Sequence, residues 1–384
     1  METLYFLQHY WWAVVSLLGA LLVFLLFVQG GQTLLFGTAT DEEDRKALIS
    51  AFGHKWEITF TTLVTFGGAA FASFPLFYST SFGGAYWLWI LILLLFVLQA
   101  VSYEFRNKVS NLLGRKTYDM FLYLNGLFGT ILLGVAVGTL FSGGAYALDR
   151  MNITDTAAAT VSYWTNDTMG LEAITDPFNL LLGIVLFWLA RILGLLYVIN
   201  QYSGCAERSD LIYRCKVQLK VYPVAFVLAF VLFLAVLFLK TGYEVDPSTG
   251  YISAVKYKYF LNMTELVWPL VLLLAGVAAV LAGLAGAMFG KPSGWLSRNS
   301  FYVTGAGAVL AVWPILICAA FNNTAYFPST ASLQDSLTLY NSSSSEFTLK
   351  VMAYVSLAVP FVLAYIIMVW RKMGRSVPSK GVKA

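Results

Sequence analysis

Long apolar runs separated by short polar segments fill almost the whole chain. Nine of these runs have the roughly 20 residues that an α-helix needs to cross a hydrocarbon core about 30 Å thick. A membrane-spanning segment has to satisfy its backbone hydrogen bonds within itself, so each run is predicted to be a helix. The predicted spans are residues 10–28, 56–82, 86–105, 118–141, 178–202, 222–239, 266–289, 301–321 and 351–370.

The overall composition agrees with this pattern. Of the 384 residues, 59% are hydrophobic and only 11% are charged, whereas a soluble domain carries about 25% charged residues. The predicted fold class is therefore an all-α polytopic membrane protein that forms a single integral membrane domain over residues 1–384. Within this domain we expect two four-helix units, residues 1–141 and 178–322, and one extra helix, residues 351–370.

Basic residues are distributed unevenly over the segments between the spans. Segments 29–55, 106–117, 203–220 and 290–298, with the tail after residue 370, hold 18 of the 24 Lys and Arg residues, and the other connecting segments hold five. Cytoplasmic loops are the ones enriched in Lys and Arg. We therefore predict that the N-terminus lies outside and the C-terminus in the cytoplasm, which agrees with an odd number of spans.

The sequence contains no pattern for metal binding or for a stand-alone catalytic centre. The three cysteines lack metal-ligand spacing, and the first predicted span separates the two histidines, His9 and His54. The chain also has no phosphate-binding loop, dinucleotide fingerprint or nucleophile elbow. We therefore expect no catalytic residue and no metal ligand in this chain, and no nucleic acid partner.

Glu57 and Glu104 are the candidate proton-pathway residues. They lie at the cytoplasmic ends of the second and third predicted spans, where a carboxylate is costly and often functional. Partly buried carboxylates have raised pKa values and can take up and release protons. Each residue also has a structural interpretation. Glu57 would then only stabilise the N-terminal dipole of its helix, and Glu104 would only form a surface ion pair with Arg106 or Lys108.

Three further residues are predicted to be structural or ion-pairing: Trp56, Arg106 and Arg191. Trp56 and Arg106 lie beside the two candidate acids at the predicted membrane interface. Arg191 is the only basic residue deep within a predicted span. Such a charge needs a partner, so we expect an ion pair with an acid of a neighbouring helix or with a propionate of a partner.

Two stretches in the N-terminal half of the chain resemble a known family. Residues 53–57 read Gly-His-Lys-Trp-Glu, and residues 67–75 read Gly-Gly-Ala-Ala-Phe-Ala-Ser-Phe-Pro. They resemble subunit II of the cytochrome bd-type quinol oxidases, which has a Gly-x-x-Trp-Asp opening followed at the same spacing by Gly-Gly and an aromatic-Pro pair. Residues 103–108 and 328–352 are also similar to that family, so the resemblance covers both ends of the chain.

The chain departs from the family pattern at four positions. The family has an acid at each of the two positions that are Gln29 and Gln32 here, and an arginine at the position of Gln99. The family's aspartate after tryptophan is Glu57 in this chain, which keeps the carboxylate on a longer arm. The chain is therefore identified as a member of a divergent branch, in which no proton role is expected for positions 29 and 32.

The resemblance implies a non-haem-bearing subunit of a terminal quinol oxidase that reduces O2 to water in the respiratory chain. Haems b and d would lie in the partner, subunit I, while this chain would supply scaffold and part of a cytoplasmic proton route. It also implies a bacterial cytoplasmic (inner) membrane location, contacts with lipid, a bound quinone and a small accessory subunit.

The sequence alone is also compatible with two other classes of protein. A secondary transporter also has many spans and buried charges, but it needs broken helices or binding charges near the membrane midplane. A purely structural membrane subunit needs neither. Copurification with a haem-bearing partner would distinguish the oxidase subunit from the transporter.

Overall fold

The computed structural model describes residues 2–109, 111–149, 161–291, 294–358, 361 and 364–370. Most of these residues are helical, and the strands are few and short, in agreement with the predicted class of polytopic helical membrane protein. The helices are α1 (Glu2–Leu25), α2 (Phe27–Gln32), α3 (Glu42–Gly53), α4 (Trp56–Ser73), α5 (Pro75–Tyr78), α6 (Tyr86–Phe105), α7 (Arg115–Leu124), α8 (Thr130–Ser142), α9 (Pro177–Gln201), α10 (Ser209–Gln218), α11 (Tyr222–Leu239), α12 (Lys258–Leu266), α13 (Trp268–Phe289), α14 (Trp295–Arg298), α15 (Ser300–Ala320), α16 (Leu339–Ser342) and α17 (Glu346–Ser356).

Seven helical stretches among the described residues are long and apolar enough to cross a membrane. Each of them overlaps one of the nine predicted spans, so the structure supports multiple membrane crossings without confirming the count of nine. The stretches are Glu2–Leu35, Tyr86–Phe105, Arg115–Ser142, Pro177–Gln201, Ala206–Leu239, Trp268–Phe289 and Ser300–Ala320.

The second predicted span, residues 56–82, is interrupted near its middle. Helix α4 ends at Ser73, and Phe74 leaves the helical conformation with φ −133° and ψ 67° before Pro75 begins α5. Proline disfavours a helical conformation in the residue before it, which explains the break. The chain then passes through a π-helical segment, Ser79–Gly84, into α6.

The last predicted span, residues 351–370, is described only in parts. Helix α17 ends at Ser356, and residues 364–370 are helical. Residues 359, 360, 362 and 363 and the tail from residue 371 lie outside the described part of the chain. A continuous ninth span is therefore still a prediction.

The predicted span 118–141 consists of two helices joined by a π-helical segment. Helix α7 ends at Leu124, the segment Asn125–Gly129 is π-helical, and α8 follows. Such π segments are rare interruptions of α-helices and are frequent at functional sites. Here the first residue, Asn125, directs its side chain at α2 and α6, where it hydrogen-bonds Gln32 and Gln99.

Helices α2 and α9 cross at very short range. A Cβ atom at Gly30 would lie 1.8 Å from the carbonyl oxygen of Ala190, and one at Gly194 would lie 2.6 Å from the backbone nitrogen of Gly31. Small residues allow membrane helices to approach this closely. The crossing fixes α2 against α9 and leaves another side of α2 facing α6 and α7.

Helices of the two predicted four-helix units share interfaces. Helix α8 packs against α9, and α1 packs against α15. The described helices therefore form one packed body, and their division into two units stays a prediction. The sequence did not predict the two small antiparallel sheets in the connecting segments, which pair β1 (Tyr146–Leu148) with β2 (Ser162–Trp164) and β3 (Gly242–Val245) with β4 (Ile252–Val255).

Candidate functional site

A line of polar side chains runs along the face of α6 that meets α2 and α7. On α6, positions 99, 103 and 106 share one face because an α-helix repeats every 3.6 residues. Residues of α2, α7 and the π segment complete the line from the opposite side. We call this set the polar seam, and its members are Gln29, Gln32, Gln99, Tyr103, Arg106, Asp119 and Asn125.

Gln99 lies at the centre of the polar seam. Its Oε1 accepts hydrogen bonds from Gln29 Nε2 at 2.8 Å and Gln32 Nε2 at 2.7 Å. The same oxygen accepts a third bond from Asn125 Nδ2 at 2.6 Å. The four side chains are at most 1% exposed. We call these four residues the amide cluster; it joins three helical elements without any charge.

The amide cluster continues towards the charged end of the seam. Asn125 Nδ2 also donates to Gln32 Oε1 at 2.9 Å, and Gln32 Nε2 donates to the hydroxyl of Tyr103 at 3.1 Å. The ring of Tyr103 stacks on Trp56, with the ring centroids 6.1 Å apart. Trp56 therefore packs beside the polar seam.

Arg106 and Asp119 form a buried ion pair at the end of the seam. Arg106 Nε donates to Asp119 Oδ1 at 2.5 Å, and Arg106 Nη2 donates to Asp119 Oδ2 at 3.1 Å. The two side chains are 0% and 2% exposed. Glu42, whose side chain is 36% exposed, accepts from Arg106 Nη2 at 3.1 Å and connects the pair to the surface. Burial lowers the pKa of Arg106, but the hydrogen bonds and charges of Asp119 and Glu42 more than offset this and raise it overall.

The two candidate proton-pathway acids lie outside the polar seam. Glu57 is exposed on the first turn of α4, and no hydrogen bond or ion pair joins it to another residue in the described ranges. Glu104 is exposed and accepts a hydrogen bond from Lys108 Nζ at 2.5 Å, four residues further along the chain. Its contact is therefore the surface pair considered above, with Lys108 as the partner. Both proton roles stay predictions.

Arg191 is buried but has hydrogen bonds in place of the expected ion pair. Its Nη1 donates to the carbonyl oxygen of Thr33 at 3.0 Å and to the Thr33 hydroxyl at 2.7 Å. Its Nη2 donates to the Tyr222 hydroxyl at 3.2 Å, and the guanidinium lies 4.7 Å from the centroid of that ring. No carboxylate lies within salt-bridge distance among the described residues. Arg191 thus joins three helical elements through neutral groups.

Lys55, which the sequence did not single out, is also buried. Its ammonium donates to the carbonyl oxygen of Trp370 at 3.0 Å and lies 4.1 Å from the centroid of the Trp370 indole. Burial lowers the pKa of the Lys55 side chain to about 8. This contact joins the segment before α4 to the last described helical residues.

The described residues contain no group of three or more potential metal ligands. The two histidines have separate local contacts: His9 Nδ1 lies 2.8 Å from the Tyr5 carbonyl oxygen, and His54 Nδ1 lies 2.5 Å from the Ser50 carbonyl oxygen. The site is therefore a set of buried amides and one ion pair within a helical membrane protein. Such an arrangement holds helices together and can hold water.

These features define a polytopic helical membrane protein, and the comparisons with known proteins identify its family. The model of the family described as "Cytochrome bd terminal oxidase subunit II" matches residues 7–373. The chain therefore belongs to this family, whose complexes are oxidoreductases and whose haems lie in another subunit. This confirms the resemblance drawn from the sequence.

Similar proteins support the assignment over most of the chain. The "Cytochrome bd ubiquinol oxidase subunit 2" of Bacillus subtilis is 30% identical over 331 residues, which cover 84% of this chain and 82% of that protein. The "Cytochrome bd-I ubiquinol oxidase subunit 2" of Escherichia coli strain K12 is 24% identical over 390 residues, covering 96% and 95%. The fold is similar to a chain of the bd oxidase from Geobacillus thermodenitrificans, with a TM-score of 0.58, 13% identity and coverage of 96% and 98%.

Three of the departures from the family pattern are in direct contact. Gln29 and Gln32, at which the resemblance implies acids, both donate to Gln99, at which it implies an arginine. This contact could not be predicted from local sequence patterns, because Gln29 and Gln99 are 70 residues apart. These three glutamines therefore form one neutral, hydrogen-bonded set in this chain.

Asp119 and Asn125 were not predicted from the sequence as site residues. Both lie within the predicted span 118–141, and an acid within a span is a functional or structural candidate by default. That rule could have identified Asp119. Nothing in the sequence could have identified the contacts of Asn125, because they depend on the π segment and on the approach of α2.

We predict that the Arg106–Asp119 pair is essential for stability. Arg106→Gln should lower the free energy of unfolding by about 3–5 kcal/mol, because it leaves the buried Asp119 carboxylate without its counter-charge. The double variant Arg106→Gln with Asp119→Asn should lose less, because no buried charge is left unpaired. Thermal unfolding of the purified complex measures both.

The matched control is Lys108→Gln, which breaks the exposed pair with Glu104. Exposed pairs contribute about 0–1 kcal/mol, so this variant should unfold close to the parental temperature. If Arg106→Gln is no less stable than Lys108→Gln, the buried pair does not have the structural role assigned here.

Proposed function

We propose that this chain is the scaffold and proton-supplying subunit of a membrane-bound quinol oxidase. In this complex a partner, subunit I, carries haems b and d, oxidises quinol and reduces O2 to water. The observation that carries the proposal is the family match over residues 7–373. The match favours this function over the secondary transporter considered above.

One face of α4 has the properties of a surface that contacts subunit I. Its exposed residues include Thr61, Val64, Thr65, Gly68 and Phe71, in line with Glu57 on the first turn. Small residues and hydroxyls allow close approach and hydrogen bonding between membrane helices. The exposed face of α11 is apolar instead, as expected for contact with lipid, and includes Val224, Leu228, Val231, Leu232 and Val236.

Glu57 is the residue to which we assign proton uptake. It lies at the end of the α4 face, so docking of subunit I on that face would partly bury a carboxylate that is exposed in this chain. Burial without a counter-charge raises the pKa of a carboxylate, and a raised pKa suits proton transfer near neutral pH. Glu57 has no hydrogen bond or ion pair to another described residue, which supports this role.

Glu104 is assigned a secondary role at the mouth of the same route. Its exposed pair with Lys108 leaves the carboxylate accessible to water. An acid at the surface can collect protons for an acid that is less accessible. The surface-pair interpretation remains its alternative, and the experiment on Glu57 includes this residue for that reason.

The proposed setting is the cytoplasmic (inner) membrane of a bacterium. The chain would cross it nine times, with the N-terminus outside and the C-terminus inside, as the 18-to-five distribution of basic residues predicts. Helix α4 with α5 and the segment 351–370 would be the two crossings that are additional to the seven apolar helices. We assign no residue to a bound quinone or to a small accessory subunit, both of which the family resemblance implied.

We predict that Glu57→Gln slows quinol oxidase turnover by about tenfold or more, because a positioned proton-transfer group is lost. Haem content and assembly should be unchanged, since the haems lie in the partner. Glu57→Asp should keep most of the activity because it keeps a titratable group. Oxygen consumption and the haem spectrum of the purified complex measure these effects.

Two further variants complete this experiment. Glu104→Gln should act in the same direction, and the double variant should be less than additive if both acids serve one route. Glu346→Gln, which alters an exposed pair with Lys350 on the opposite side of the predicted topology, is the control and should turn over normally. Normal turnover of an assembled Glu57→Gln complex would contradict the proton role and favour stabilisation of the helix dipole.

We also predict the orientation of the chain. A reporter fused after Leu113 should lie in the cytoplasm, because the connection around it is rich in Arg and Lys. A reporter fused after Thr165 should lie outside. Paired alkaline phosphatase and fluorescent protein fusions at both positions distinguish the two sides. The reverse pattern would rule out the proposed topology.

A further inference from the structure

Three polar atoms of the amide cluster have no protein partner. They are Gln29 Oε1, Gln99 Nε2 and Asn125 Oδ1, each buried and without a hydrogen bond to any described residue. Most buried polar side-chain atoms in proteins have a partner, either from the protein or from ordered water. Three such atoms within one cluster therefore indicate a ligand that supplies the complementary hydrogen bonds.

The three atoms belong to carboxamides that meet at Gln99 Oε1. The oxygen and nitrogen of one carboxamide are about 2.3 Å apart, given bond lengths of about 1.2 and 1.3 Å. Gln29 Nε2 and Asn125 Nδ2 lie 2.8 and 2.6 Å from Gln99 Oε1. Each unpaired oxygen therefore lies within about 5 Å of Gln99 Oε1.

We propose that the amide cluster is a binding site for an internal water molecule. Water donates two hydrogen bonds, which match Gln29 Oε1 and Asn125 Oδ1, and accepts one from Gln99 Nε2. Buried waters typically make about three hydrogen bonds of this kind. The site takes a neutral molecule, because the four amides carry no charge to offset the burial of an ion.

Gly129 provides space on one side of this site. A Cβ atom at this position would lie 3.0 Å from Asn125 Oδ1 and 3.6 Å from Asn125 Cγ. The missing side chain therefore leaves the neighbourhood of an unpaired oxygen open. An alanine at position 129 would occupy that neighbourhood without removing any of the amides.

The orientation of the amides supports the assignment. If the Gln99 carboxamide were reversed, its nitrogen would face the amide nitrogens of Gln29, Gln32 and Asn125, which are all donors in the observed arrangement. Donors facing donors would lose three hydrogen bonds. The observed orientation of Gln99 therefore keeps three hydrogen bonds that its reversal alone would lose, and it leaves Gln99 Nε2 for the water.

The experiment is a cryo-EM map of the complete oxidase at a resolution that shows ordered water. We expect one density peak within about 2.7–3.2 Å of Gln29 Oε1, Gln99 Nε2 and Asn125 Oδ1. In Gly129→Ala the peak should be lost while Gln99 keeps its three amide donors. Gly67→Ala, where the new Cβ would meet Phe82 at an ordinary 3.6 Å, is the matched control and should keep the peak.

The parental map alone can overturn the proposal if Gly129→Ala does not assemble. Absence of the peak at that resolution would overturn it, as would reversed amides whose oxygens and nitrogens pair directly. A peak that persists in an assembled Gly129→Ala complex would also overturn it. This readout is independent of turnover, so it does not depend on the outcome for Glu57.

Discussion

The packing of α2, α6 and the π segment before α8 depends on one constraint: a polar group buried in a membrane must find a partner within the protein. Gln99 on α6 provides that partner for two other elements, because its Oε1 accepts hydrogen bonds from α2 and from the π segment. The glycine-mediated crossing of α2 and α9 brings the glutamines of α2 to that position. The Arg106–Asp119 pair then connects the same helices to the surface through Glu42.

The polar seam and the proposed proton route are separate. The buried part of the seam contains neutral amides and a paired charge, so it has no free acid to exchange protons. Glu57 has the opposite properties, since it is exposed in this chain and has no ion pair among the described residues. The scaffold role therefore belongs to the interior of the chain, and the proton role belongs to the surface proposed to meet subunit I.

The apolar runs predicted most of the fold because lipid leaves a spanning segment few alternatives to a helix. The break at Phe74 follows from Pro75, and that proline was visible in the sequence. The contacts between Gln29 and Gln99 were not predictable, because 70 residues separate them and no local pattern links them. For Arg191 the sequence indicated correctly that a buried charge needs partners, but it could not indicate that hydroxyls would serve.

The most direct test of this account is a double-mutant cycle on Gln32 and Gln99, whose amides are 2.7 Å apart. Gln99→Arg and Gln32→Asp should each lower the unfolding temperature of the complex, because each buries a charge in a neutral cluster. The double variant should recover much of the loss, with a coupling energy of about 0.5–3 kcal/mol, because the two charges can pair. Strictly additive losses would contradict the claim that the amide cluster is one neutral, mutually dependent unit.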